Sequence, residues 1–274
     1  MPKPTKKTAD GFQKLKHASQ PWNKIVCVTA YDYTTAKWVD PEVDIVLVGD
    51  SLGMVVQGHP NTLSVTLEHM IYHSQCVARG IQLAHLCVDM PFMTYQVNPE
   101  EALRNAGRLI AEGSAHSVKL EGGVTFARTI EKIVSAGIPV LGHIGLTPQS
   151  VHQLGGYKVQ GKTASEREAL LQDALAVEDS GAYALVLESI PSELAQTISE
   201  RVKIPTIGIG AGPHCDGQVL VLHDLLGLNP DFKPKFVKQY AQLSHELIRA
   251  VKTFGDEVRK AQFPTQEHSF YAGS

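Results

Sequence analysis

Short runs of apolar, mostly β-branched residues recur along the chain and alternate with stretches of helical spacing. The runs are Lys24–Ala30 (KIVCVTA), Asp44–Gly49 (DIVLVG), Leu86–Met90 (LCVDM), Ser117–Glu121 (SVKLE), Ile138–Ile144 (IPVLGHI), Ala184–Glu188 (ALVLE), Pro205–Ile209 (PTIGI) and Gln218–Leu222 (QVLVL). Several are almost wholly apolar, as expected of strands covered on both faces in a parallel sheet. The helices between them have readable ends. Asn98-Pro99-Glu100-Glu101 supplies an N-cap, a proline at the first helical position and an acid at the third. That helix is predicted to run to Glu112 and stop at Gly113 in a left-handed conformation. Ser165-Glu166-Arg167-Glu168 reads as a capping box for a helix ending before Gly181. Val124–Ala136 ends at Gly137, with Pro139 beyond, and Thr66–Arg79 ends at Gly80. Lys235–Lys260 also has helical spacing.

Eight strands with intervening helices in ~250 residues fit a (β/α)8 TIM barrel better than an open doubly wound sheet. One connection is too short for this pattern. Only Gly210 to Gly217 separates the seventh and eighth runs, too little for a crossover helix. Either that helix is reduced to a turn or one strand is misassigned. With no internal repeat or linker, the chain reads as one barrel domain over 1–274, with a basic N-terminal arm (about 1–22) and a C-terminal tail (about 262–274).

Composition narrows the classes. The chain has 274 residues, a formal net charge of −3, 43% hydrophobic residues and only 19% charged residues. It is too apolar to be disordered and has no basic excess for nucleic acid. It has no run near ~18 apolar residues that would span a membrane. The charged fraction lies below the average of about 25% and points to outer surface covered by another subunit. The arm carries Lys3, Lys6, Lys7, Lys14 and Lys16 with no apolar run and no Arg, so neither a secretory signal nor a transit peptide is expected. The arm reads as solvated, with one amphipathic turn around Phe12 and Leu15. Cys27, Cys76, Cys87 and Cys215 form no C-x-x-C pair and read as small buried hydrophobes in a reducing cytoplasm.

Parallel barrels carry their chemistry at the C-terminal ends of the strands. The second run ends in Asp50 and Ser51, the third in Asp89, the fourth in Lys119 and Glu121 on one face, the fifth in His143 and the sixth in Glu188. Each residue alone has an ordinary structural explanation, such as a helix cap, a rim ion pair or a core histidine. Together, four acids at equivalent strand ends would repel one another unless a cation sat among them. Carboxylates without clustered Cys or His favour a hard ion such as Mg2+. Such an ion can chelate a 2-oxo acid and stabilise the enolate formed when a free carboxylate takes the adjacent proton. Two glycine-rich segments remain. Gly208–Gly212 (GIGAG) lacks the spacing and following helix of a dinucleotide fingerprint and reads as a tight turn at the barrel mouth. The long segment Gly145–Thr163 (GLTPQSVHQLGGYKVQGKT) reads as a mobile lid.

The segments VTAYDYTTA, VLVGDSLGMVVQGH, VTLEHMIYHSQCVARG, VDMPFMTYQ, SVKLEGG, LGHIGLTPQSVHQLGGYKVQGKT, IGIGAGPHCDGQVLVLHDLLG and FPTQEHSF resemble, in order, the ketopantoate hydroxymethyltransferase family. The resemblance covers about Thr8 to Phe270. It implies a barrel of the phosphoenolpyruvate/pyruvate superfamily. It also implies transfer of a hydroxymethyl group from 5,10-methylenetetrahydrofolate to 3-methyl-2-oxobutanoate, giving 2-dehydropantoate on the route to pantothenate and coenzyme A. Carried over motif by motif, it implies metal ligation by Asp50 and Asp89 and a metal-linked carboxylate at Glu121. Substrate contacts fall on Asp50, Ser51, Asp89 and Lys119, and the general base on Glu188. His143 and Gln149 fall in the matching loop with roles left open. A homo-oligomer, commonly a decamer, is implied as well. Two rivals stand beside this reading: a carbon–carbon lyase of the same superfamily, and a non-catalytic barrel using GIGAG as an anion nest.

Overall fold

The computed structural model describes residues 6–16, 24–230 and 234–272, and the chain divides into two compact units, 1–222 and 223–274. The first unit ends at Leu222 and the second begins at His223.

In the first unit eight parallel strands close into a barrel in chain order, β8 pairing back onto β1. The strands are β1 (Ile25–Thr29), β2 (Ile45–Val48), β3 (His85–Asp89), β4 (Ser117–Glu121), β5 (Val140–Gly145), β6 (Ala184–Glu188), β7 (Thr206–Ile209) and β8 (Gly217–Leu220). Each falls on or within two residues of its predicted run. The helices are α1 (Ala9–Lys16), α2 (Tyr33–Val39), α3 (Leu52–Val55), α4 (Leu67–Gly80), α5 (Pro99–Ala111), α6 (Ala127–Ser135), α7 (Val151–Leu154), α8 (Ala164–Asp179) and α9 (Ser192–Arg201). The short β7–β8 connection is a turn with no helix among its residues, so both strands stand. Chemistry explains the apolar strands. One set of side chains, including Val46, Val48, Leu86, Val88, Val118, Leu120 and Leu185, packs outward on the helices. The alternate set, including Ile25, Cys27, Ile45, Leu47, Cys87, Leu141 and Val186, fills the barrel.

Three local expectations are corrected. Helix α8 starts at Ala164, because the capping box is Thr163 with Glu166 rather than one built on Ser165. The Thr163 hydroxyl accepts from the Glu166 N–H at 3.3 Å, and the Glu166 carboxylate accepts from the Thr163 N–H at 3.0 Å. After α5 the left-handed residue is Ser114, not Gly113. Gly113 is required for space, since a Cβ there would stand 2.5 Å from the Leu109 carbonyl oxygen. The arm is not wholly solvated either. Helix α1 buries Phe12 against His85 and Tyr183 at the N-terminal end of the barrel, with ring centroids 5.6 and 6.1 Å away. Lys16 anchors it, donating to Asp216 at 2.7 Å and to the Ser199 carbonyl at 2.6 Å.

The second unit contains α11 (Leu243–Arg259), preceded by α10 (Leu222–Leu225) at the division. The helical spacing of the sequence starts at Lys235, but the regular helix begins at Leu243. No helix among the described residues is long and apolar enough to cross a membrane. All four cysteines are free, and Cys27, Cys87 and Cys215 are buried.

Candidate active site

All the sequence-predicted residues meet at the C-terminal end of the barrel. Strand register does most of this work. Asp89 pairs with Lys119 across β3–β4, and Glu121 pairs with His143 across β4–β5. Lys119 and Glu121, two apart on β4, both point inward. A cavity of about 80 Å³ opens there, lined among others by Asp50, Ser51, Asp89, Lys119, Glu121, His143 and Glu188.

Lys119 and Asp89 form a buried ion pair, Nζ to Oδ1 at 2.6 Å. The other Asp89 oxygen accepts from the Asp50 N–H at 3.0 Å. Gly49 beside it leaves room for Ser51, because a Cβ at Gly49 would meet Ser51 Oγ at 2.7 Å. Ser51 shares a hydrogen bond with the Tyr31 hydroxyl at 2.8 Å. Gln149 donates from Nε2 to Asp50 Oδ2 at 2.8 Å and from its backbone to Glu121 Oε2 at 3.0 Å. His143 stands between Glu121 (Nδ1 to Oε1, 3.6 Å) and Glu188 (Nε2 to Oε2, 3.2 Å). Both ring nitrogens are buried, and each faces a carboxylate without full hydrogen-bond alignment.

Electrostatics follow from this crowding. Burial, and then the neighbouring Asp89, push the Asp50 carboxyl up to about 7. Burial and then Asp50 push Glu121 well above the ordinary carboxylate range. Burial opposes the Lys119 ammonium, but Asp89, Glu121 and Asp50 together outweigh it and hold the charge in place. Burial, with Lys119 nearby, lowers His143 against the pull of Glu188, so the imidazole is neutral near pH 7. One lysine thus faces several acids whose charge is incompletely offset. This donor set, hard oxygens in excess of positive charge, fits a hard divalent cation. Among the described residues no three His, Cys, Asp or Glu groups are arranged to hold an ion by themselves.

Sequence reasoning missed Tyr95, Gln96 and Tyr31. Tyr95 and Gln96 hold Gln149, and Tyr31 holds Ser51. None of them ends a strand, and the only signal was their place in the loops that follow β1 and β3. The segment 145–163 is structured in part, with α7 inside it. Gln160 donates its N–H to the Ser189 carbonyl at 2.9 Å, and the Tyr157 hydroxyl points at Met54 Sδ at 3.8 Å. Ser189, next to Glu188, adopts a left-handed φ of 49°, a strained conformation of the kind that clusters at active sites.

The sequence model of ketopantoate hydroxymethyltransferase matches residues 6–266. The 3-methyl-2-oxobutanoate hydroxymethyltransferase of Anaeromyxobacter sp. (strain Fw109-5) is 55% identical over 272 residues, 97% of this chain and 88% of that one. Its counterpart in Pelobacter propionicus is 54% identical over 97% of both chains. Among solved structures, a 2,3-dimethylmalate lyase described as a PEP mutase/isocitrate lyase superfamily member has a TM-score of 0.61 at 16% identity, covering 97% of this chain and 90% of that one. A phosphonopyruvate hydrolase complex with oxalate and Mg2+ also has a TM-score of 0.61, at 11% identity over 96% and 93%. These two are similar in fold alone. The chain folds as a TIM barrel and belongs to the ketopantoate hydroxymethyltransferase family, hydroxymethyltransferases of pantothenate biosynthesis.

Proposed function

We propose that this chain moves the hydroxymethyl group of 5,10-methylenetetrahydrofolate onto 3-methyl-2-oxobutanoate, giving 2-dehydropantoate, with Glu188 as the base. The observation that carries this reading is the arrangement of buried carboxylates Asp50, Asp89 and Glu121 around Lys119, with Glu188 on a separate strand across the same cavity.

Asp50 and Asp89 would hold Mg2+, with Glu121 beside it or linked through water, and the remaining positions would fall to water and substrate oxygens. When bound, the ion supplies Lewis-acid polarisation of the substrate's keto group and stabilises the developing enolate charge. Lys119 and Ser51 bind and orient the oxo acid. Glu188 removes the proton from the branched carbon next to the keto group. One water adds to the folate's methylene as its two C–N bonds break, which returns tetrahydrofolate and leaves the one-carbon unit at the formaldehyde level. The nucleophilic carbon attacks that unit, and the proton held at Glu188 is available to the new hydroxymethyl oxygen. His143, neutral and packed between Glu121 and Glu188, keeps those two carboxylates apart without adding charge. The segment 145–163, held at Gln160 and Tyr157, would shield the enolate from protonation by bulk water. The same reading includes a homo-oligomer, a decamer by family resemblance. It is supported by the apolar side of α11, where Leu247, Val251, Phe254 and Val258 are all exposed.

Proton–deuterium exchange at the branched carbon of 3-methyl-2-oxobutanoate tests the chemistry. The wild type should exchange only with Mg2+ present, and Glu188→Gln should slow exchange by ~10²–10⁴-fold. Unchanged exchange in Glu188→Gln removes Glu188 as base. No exchange by the wild type removes the enolate step.

A further inference from the structure

The loop after β3 places Tyr95 inside the molecule, 2% exposed, with its ring edge-on to Phe126 at 5.2 Å. Its hydroxyl makes two hydrogen bonds, and both end on groups that hold the carboxylates. It donates to Gln149 Oε1 at 2.8 Å and accepts from the Glu121 N–H at 3.2 Å. Gln149 is the intermediary. Its Oε1 also accepts from Gln96 Nε2 at 3.0 Å. Its Nε2 donates to Asp50 Oδ2 at 2.8 Å and to the Met90 carbonyl at 3.0 Å. The amide therefore uses both donors and both acceptor lone pairs.

This matters because an amide can turn over and exchange its two ends at little steric cost. Turned over, Gln149 would aim its oxygen at the Asp50 carboxylate and at the Met90 carbonyl, so that three acceptor oxygens meet with no donor among them. Donors at Oε1 prevent that, and Tyr95 is the buried one of the two; Gln96 is half-buried. The same hydroxyl fixes the backbone of Glu121, the last residue of β4. One side chain from the β3 loop thus sets two of the three carboxylates that the Mg2+ reading uses, Asp50 and Glu121, although it touches neither carboxylate. Mg2+ demands near-octahedral geometry and tolerates misplaced ligands poorly.

The geometry points to Tyr95 as a positioning residue that acts through Gln149 and the Glu121 backbone to hold Asp50 and Glu121 in cation-ready orientation. This rests on the Mg2+ reading above. Partners of this kind are worth ~10–100-fold in metal affinity. Tyr95→Phe removes one oxygen and keeps the ring packed on Phe126. Calorimetric titration of Mg2+ into the purified enzyme should show a Kd raised by ~10–100-fold. In assays at saturating Mg2+, kcat should recover, while the Mg2+ concentration giving half-maximal rate should rise in parallel. A purely structural role would lower Tm and leave the Mg2+ Kd in place. If Tyr95→Phe fails to fold, Gln149→Met, which removes the amide through which Tyr95 reaches Asp50 with little change in volume, tests that link with the same expectation. A Kd within about twofold of wild type in the folded variant overturns the positioning role. A wild type that binds no Mg2+ overturns the metal reading itself, and Tyr95's role with it, so the two failures are told apart by the wild-type titration.

Discussion

Lys119 is the residue on which the charge balance of the site turns. Its ammonium is 2.6 Å from Asp89 with both side chains buried, and it also faces Glu121 and Asp50. A buried pair is weak evidence for stability as a pair, but removing one partner strands the other without compensation. Lys119→Met should therefore lose about 3–5 kcal/mol of folding stability, read as the shift of a urea unfolding curve. An unshifted curve would mean that water or a cation already screens Asp89. Substitution by Arg is no remedy, because a planar fork replaces a compact charge in a cavity of about 80 Å³. Single residues of this kind were legible in the sequence. Asp89, Lys119, Glu121 and Glu188 each stand at the end of an apolar run, where barrel geometry alone sends them to one mouth. Tyr95, Tyr31 and the orientation of Gln149 were not legible. Their roles depend on loop paths and hydrogen bonds between residues as far apart as Tyr95 and Gln149, and no local pattern encodes such contacts.

At the scale of elements, the opposite end of the barrel depends on α1 and carries a second buried polar cluster. His85 opens β3, shares a hydrogen bond with Ser117 Oγ at 2.8 Å and packs on Phe12, Tyr183 and His116. Burial first, then His116, pulls its pKa down to about 3, and burial pulls His116 to about 4. Lys6 opposes protonation of both. The sign is set by linkage. The folded state refuses a proton that the unfolded chain accepts below about 6.5, so stability is full above that pH and falls as pH drops toward about 3. For His85 the loss amounts to about 5 kcal/mol at the acid limit. His85→Gln, followed by circular dichroism through an acid titration, should move the unfolding midpoint to lower pH. A midpoint that stays in place would show that carboxylates elsewhere set acid stability. The sequence pattern predicted β3 and α5 closely because their strand run and N-cap are local. It misread α1 because Phe12 looks like any residue of a short amphipathic turn until the barrel above it supplies Tyr183 and His85.

At the scale of the whole molecule, a net charge of −3 with 19% charged residues describes a surface poor in charge, while the acids of the site are gathered inside it. The second unit shows where that apolar surface lies. Leu243, Leu247, Val251, Phe254 and Val258 fall at spacings of four, four, three and four along α11, one side of a helix, and all are exposed. The other side is already self-paired, through Glu246 with Arg249 and Lys252 with Asp256. A stripe of this length left in water is unfavourable, and contiguous apolar patches on isolated monomers are small. Burial of each such side chain contributes about 1.5–3 kcal/mol, enough over five residues to hold subunits together against the entropy of association. In the proposed homo-oligomer this side of α11 is covered by another copy of the chain. Light scattering on the eluted wild type should give a multiple of the 29.8 kDa chain mass. Leu247→Glu with Val251→Glu should shift the eluted mass toward that of one chain while the barrel's circular dichroism is retained. A double variant that keeps the full assembly mass would show that α11 does not hold the subunits together.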